Sequence, residues 1–144
     1  MVSLLLFTGI ALPVDVPQFL TVIVSCGLVT DAATLDFGSV PPGVTSAETS
    51  VRVNNTGSTS TTVNPTGSAW YNSTNNFAGT QTHYNYTNSG QDYDTTMLAL
   101  PVGTNTTIGS IANAGSKLVY YQVRIPGGTS TMVYRQDTAF STVC

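Results

Sequence analysis

The chain has 144 residues, of which 8% are charged; four Lys and Arg against seven Asp and Glu give a formal net charge of −3. That length builds one domain with one sizeable core, and four cations cannot form a phosphate-binding surface, which excludes nucleic-acid binding and polybasic membrane attachment. Hydrophobic residues reach 41%, too many for a disordered chain, and one His with two Cys leaves little material for a zinc site or a His-based triad.

The first element is apolar from Met1 to Cys26, MVSLLLFTGIALPVDVPQFLTVIVSC. Pro13, Asp15 and Pro17 break it near the middle, so it predicts no stable membrane span. Each half reads as a strand. Val2, Leu4, Leu6, Ile10 and Leu12 share one face at period 2, with Thr8 as the exception; Leu20, Val22, Val24 and Cys26 share a face in the second half. Three readings follow: a cleaved secretory or lipoprotein signal, a pair of core strands, or a segment that docks into a neighbouring copy. Ile23-Val24-Ser25-Cys26-Gly27 resembles a lipobox, but no Lys or Arg precedes the apolar run as a signal peptide requires.

Beyond Gly27 the sequence alternates short apolar-polar runs with turn residues. Strands are predicted at Thr34–Val40, Glu48–Asn54, Thr61–Asn64, Ala69–Tyr71, Thr80–Thr87, Thr96–Pro101, Thr106–Ala112, Lys117–Ile125 and Ser130–Val143. Pro41-Pro42-Gly43, Asn54-Asn55-Thr56-Gly57, Pro65-Thr66-Gly67 and Pro126-Gly127-Gly128 punctuate them. Val51 and Val53 oppose Arg52, and Val119, Tyr121, Val123 and Ile125 form one face. No ten-residue stretch carries a helical period, so the expected fold is all-β, an immunoglobulin-like β-sandwich. Residues 1–30 are expected to be an apolar N-terminal segment, a candidate donor strand, and residues 31–144 the sandwich domain.

The run Leu35-Asp36-Phe37-Gly38-Ser39-Val40-Pro41-Pro42-Gly43, then Val51-Arg52-Val53-Asn54-Asn55-Thr56-Gly57, then Trp70, resembles the opening of immunoglobulin-like domains in secreted archaeal and bacterial surface proteins. That group includes the TasA/camelysin-like filament subunits and the archaeal bundling-pilus and thread subunits. Lys117–Pro126 resembles the penultimate strand such domains often carry. The resemblance implies a sandwich and an extracellular location.

Candidate chemistry is sparse. His83 is the only imidazole and has no Cys near it in sequence. Asp92-Tyr93-Asp94 after a Gly-bearing run offers oxygen ligands at i, i+2, the beginning of a calcium loop without its closing Glu. Trp70, Tyr71, Tyr84, Tyr86, Tyr93, Tyr120, Tyr121 and Tyr134 are core residues or sugar-stacking faces. Asn-x-Ser/Thr sequons place candidate glycans at Asn54, Asn72, Asn85 and Asn105; Pro65 disqualifies Asn64. Cys26 and Cys144 pair within a chain, pair between chains, or remain reduced; an intrachain bridge would close nearly the whole domain and contribute about 4–5 kcal/mol in the chain-entropy model.

The expectation is a non-enzymatic, extracellular, cell-surface filament subunit without a cofactor or metal, assembled by strand addition to other copies of itself. Val2, Leu4, Leu6, Ile10, Leu12, Leu20, Val22 and Val24 are the candidate subunit contacts, and covalent glycans with a Thr/Asn-rich surface keep the polymer soluble. The alternative is a monomeric, lipid-anchored surface module that binds glycans or proteins through exposed aromatics.

Overall fold

The computed structural model describes residues 16–24, 27–101, 107–130 and 132–142. Its strands are β1 (Val16–Val24), β2 (Leu28–Thr30), β3 (Thr34–Val40), β4 (Thr49–Asn55), β5 (Thr61–Thr62), β6 (Asn64–Gly67) and β7 (Trp70–Tyr71). They continue with β8 (Asn76–Phe77), β9 (Thr82–Asn85), β10 (Leu98–Ala99), β11 (Ser110–Ile111), β12 (Ser116–Val123) and β13 (Tyr134–Ser141). One sheet runs β3-β1-β13-β7-β8, with β6 also on β13; the other runs β10-β9-β12-β4-β2, and β11-β5 forms a small ribbon. The fold is the all-β sandwich expected from the alternating pattern, and no α-helix occurs among the described residues. None of their helical turns is long and apolar enough to cross a membrane.

Period-2 alternation decides which side chains meet between the sheets. Val51 and Val53 from β4 are fully buried, and so are Val119, Tyr121 and Val123 from β12. They face Leu20, Leu35, Trp70, Tyr134 and Phe140 of the first sheet in one core. Trp70 stacks on Phe77 at 5.6 Å between ring centroids and meets the Phe37 ring edge-on at 6.2 Å. These are the offset and edge-to-face arrangements that ring quadrupoles favour.

The core also holds a polar chain. Trp70 Nε1 donates to Thr82 Oγ1 at 2.7 Å, and Thr82 Oγ1 donates to Gln136 Oε1 at 2.7 Å. Gln136 Nε2 then donates to the Ser68 carbonyl at 2.8 Å. Thr82 and Gln136 are wholly buried, so each link replaces a water the site cannot admit.

Two sequence expectations shift in register. Pro65 was expected to stop a strand; it lies inside β6, opposite Phe140 of β13. It is tolerated because β6 pairs only with β13, so the missing N–H costs no ladder bond on the other edge. In β3 the inward residues are Leu35, Phe37 and then Val40, a break in alternation. Gln18 pairs with Gly38 and Phe19 with Asp36, so Phe37 is the extra residue of a bulge. Gly38 supplies the positive φ of +68° there, and its N–H donates to Asp36 Oδ1 at 2.8 Å.

β1 lies in one sheet and β2 in the other, so both strands, which precede residue 31, are part of the sandwich. Replacing Thr82 by the isosteric Val leaves the Trp70 N–H and Gln136 Oε1 without a partner. Denaturant unfolding is expected to show a loss of about 2–4 kcal/mol at unchanged m-value.

Candidate functional site

The position of β1 is the feature that bears most directly on assembly. It lies within its sheet, antiparallel to β3 on one side and parallel to β13 on the other. Leu20 sits opposite Leu35 and Gln136, and Val22 opposite Thr138. Gln18, Leu20 and Val22 point inward; Leu20 is 0% exposed and Val22 8%. The period-2 face read from the sequence is therefore the core face. Leu20 and Val22, expected as contacts to a second copy, are here contacts within the chain's own sandwich. They are buried there because the slot between β3 and β13 is lined by Leu35, Phe37, Tyr134 and Phe140, all buried apolar side chains. Val24 pairs with Phe140 through its backbone. Val2, Leu4, Leu6, Ile10 and Leu12 lie outside the described residues, as do Cys26, Cys144 and Asn105.

Three residues, 25–27, carry the chain from the end of β1 in one sheet to Leu28 of β2 in the other. The link is short for a crossing between facing sheets, which stand about 10 Å apart. Gly27 closes it at φ +69°, with its carbonyl accepting from the N–H of Thr56 at 2.7 Å and from Thr56 Oγ1 at 3.0 Å. A Cβ at Gly27 would meet the Gly57 backbone at 3.4 Å, an ordinary contact, so the positive φ is what favours glycine here.

The second cluster surrounds His83. Its ring stacks on Tyr93 at 3.8 Å between centroids and 7° between planes, and Nδ1 lies 2.6 Å from the Tyr93 carbonyl oxygen. The Arg124 guanidinium stands 4.3 Å from the centroid of the Tyr93 ring and forks onto Asp94 with bonds of 2.6 and 2.7 Å. That fork holds the Asp94 carboxyl below the usual carboxylate range. Burial pushes the Tyr93 hydroxyl up to about 12, against the opposing pull of Arg124. The hydroxyl donates to the Gln81 carbonyl at 2.7 Å. Asp92 Oδ1 accepts the N–H groups of Asp94 and Thr95, the geometry of an Asx turn. Both carboxylates of the Asp92-Tyr93-Asp94 run are thus engaged by protein donors, as in an ordinary polar turn, and no cluster of three metal-ligating side chains occurs among the described residues. The arrangement pins a loop to β9 and β12.

Of the eight aromatic side chains considered as sugar-stacking faces, Tyr71 alone is exposed. Trp70, Tyr84, Tyr93, Tyr121 and Tyr134 are buried, and Tyr86 and Tyr120 are half-buried. The glycan candidates separate likewise. Asn54 and Asn72 are half-buried. Asn85 is 7% exposed, its Nδ2 donates to the Asn88 carbonyl at 2.7 Å, and its Oδ1 accepts from Thr87. The Nδ2 that would carry a sugar is thus engaged by the Asn88 carbonyl.

No family model matches the chain, and no curated protein matches it. Among solved structures it is similar to the ASH / PapD-like domain of human CEP192, PapD-like domain 7, at 12% identity and a TM-score of 0.36. That alignment covers 100% of this chain and 96% of the other.

Leu20→Ala is expected to cost about 2–5 kcal/mol by denaturant unfolding, the penalty of a cavity at the centre of the slot. Tyr93→Phe tests the His83 cluster by ultraviolet titration. A tyrosine acid whose folded pKa exceeds the ordinary value of about 10 makes the folded state the stronger proton binder, so stability falls as pH rises from about 10 and the contribution is gone above about 12. The variant is expected to lose the component titrating near 12 and that part of the alkaline decline.

Proposed function

We propose that the protein is a structural subunit of an extracellular filament in which β1 of one copy fills the slot between β3 and β13 of the next. The observation that supports this reading is the place of β1: an N-terminal strand, inserted between two strands that do not otherwise meet, and joined to the rest of the chain by three residues. Withdrawing such a strand opens a cleft one strand wide, with unpaired backbone on both walls and Leu35, Phe37, Tyr134 and Phe140 exposed at its floor. Every contact β1 makes within its own chain is available to β1 of an identical copy, so exchange leaves the gross contact energy unchanged. A hinge of three residues favours exchange, because short links between elements invite domain swapping. Head-to-tail exchange whose rotation does not close produces fibres.

The other features fit a secreted structural role. Aromatic side chains are mostly committed to the core, Tyr71 being the exposed one of the eight candidates. A surface of hydroxyl and amide groups remains hydrated without charge, and a glycan on Asn54 would add to it. The proposal requires no cofactor and no catalytic group. Its partners are other copies of the same chain.

Negative-stain images of the full chain are expected to show filaments. A variant with four Gly/Ser residues inserted between Ser25 and Cys26 is expected to remain monomeric, because the longer link lets β1 close comfortably on its own slot. A full chain that stays monomeric at every concentration would overturn the filament reading. Filaments formed equally well by the lengthened variant and by a chain lacking residues 1–24 would overturn strand exchange.

A further inference from the structure

On the outer face of the first sheet, at the end where β1 begins, lies an open groove of about 700 Å³ lined by Pro17, Tyr71, Asn72, Met132, Val133 and Arg135. The pleat explains its composition. Pro17 on β1 and Arg135 on β13 alternate with inward Gln18, Tyr134 and Gln136, and the backbone of Arg135 pairs with that of Tyr71. Six large apolar side chains are exposed among the described residues, and three of them, Tyr71, Met132 and Val133, line this groove at 40–44% exposure. The others, Val29, Val44 and Leu98, do not line it. A cluster of this kind beside a polar surface marks a docking site.

What covers it is decided by the chain itself. Pro17 is part of the groove wall, and residues 1–15 join β1 one residue before it. Residues 2–12 contain no charged side chain, and seven of the eleven are Val, Leu, Ile or Phe. The groove carries one charge, Arg135, with no ion-pair partner among the described residues. The first carboxylate of the chain is Asp15, two residues ahead of Pro17. An apolar segment tethered at the rim has a local concentration far above that of any free partner. We infer that this groove is the docking site for the apolar stretch Val2–Leu12 of whichever chain supplies β1, with Asp15 brought to Arg135. In a monomer that is the chain's own stretch; after strand exchange it is the neighbour's, and the groove becomes a second contact in the same joint. That second half of the inference rests on the filament reading, whereas the first half does not.

Asn72 gives the site a further property. Its Oδ1 accepts the N–H groups of Thr74 and Asn75, at 2.8 and 2.7 Å for Thr74 and Asn75 respectively, and its Nδ2 lies 3.7 Å from the Met132 sulfur. The sequon amide thus stands in the groove wall, and a glycan attached there would occupy the space the apolar stretch needs. Glycosylation at Asn72 and docking of Val2–Leu12 exclude one another.

The test places the photoreactive residue p-benzoylphenylalanine at Val133 of the full chain and, as a control, at Val29 on the opposite sheet. Protein is prepared with and without nitrogen-15, mixed during refolding, irradiated, separated by size, and digested for mass spectrometry. In the monomer fraction a crosslink from position 133 to residues 2–12 is expected, and none from position 29. Absence of that crosslink, or equal capture at both positions, would overturn the docking site. Met132→Asp in the position-133 background is expected to lose the crosslink while thermal unfolding remains cooperative; retention of the crosslink would overturn the apolar basis of docking. In filaments, peptides joining light to heavy chains are expected. Peptides of one isotope only would overturn exchange while leaving the monomer site standing.

Discussion

One strand insertion organises the molecule. β3 and β13 are held in a single sheet because β1 lies between them, antiparallel to one and parallel to the other. The parallel pairing is a consequence of where the strand comes from. It belongs to the first part of the chain and β13 to the last, so no tight hairpin can join them, and nothing local in sequence specifies their register. Register is instead set by burial: a slip of one residue would turn Leu20 and Val22 out of the core and bring Phe19 and Thr21 in.

The core around this strand tolerates a surprising number of polar atoms for a chain so poor in charge. Gln18, Gln136, Thr82 and Thr138 are all wholly buried. The Trp70–Thr82–Gln136–Ser68 chain ties β7 and β13 of one sheet to β9 of the other through hydrogen bonds that only one packing satisfies. Apolar surfaces would accept many relative positions of the two sheets, whereas a directional chain accepts one. Outside the core, Arg124 does the equivalent for the 88–97 loop, gripping Asp94 and covering the Tyr93 ring. With four cations in the chain, one of them is spent on a loop clamp and not on a surface field.

The short hinge at 25–27 and the groove beside Pro17 lie at opposite ends of β1. The same strand therefore couples the two proposals: freeing one end allows exchange, while the apolar stretch at the other end accompanies the strand to its destination. Burial of β1 depends on the hydrophobic driving force, which acts without regard to which copy contributes the surface. Connectivity, rather than contact chemistry, separates monomer from polymer in such a design.

The alternation of apolar and polar residues was enough to place most strands and their inward faces. Thr34–Val40 was legible to the residue, and the faces of Val51/Val53 and Val119/Tyr121/Val123 followed from period 2. Gly38 lies within that run, and the pairing of Gln18 with Gly38 and Phe19 with Asp36 is what reveals the bulge. It did not disclose that Gln18 and Gln136 are core residues, since an amide is buried only when its partners arrive from distant strands. The Tyr71–Met132–Val133 groove was equally hidden, because its walls are about sixty residues apart in the chain and meet only across β13. By itself the sequence determined composition, strand periods and turns, all of which depend on neighbours a few residues away. The tertiary structure alone decided the neighbours of β1, the buried amides and the site of the groove, because each depends on contacts between residues far apart in the chain.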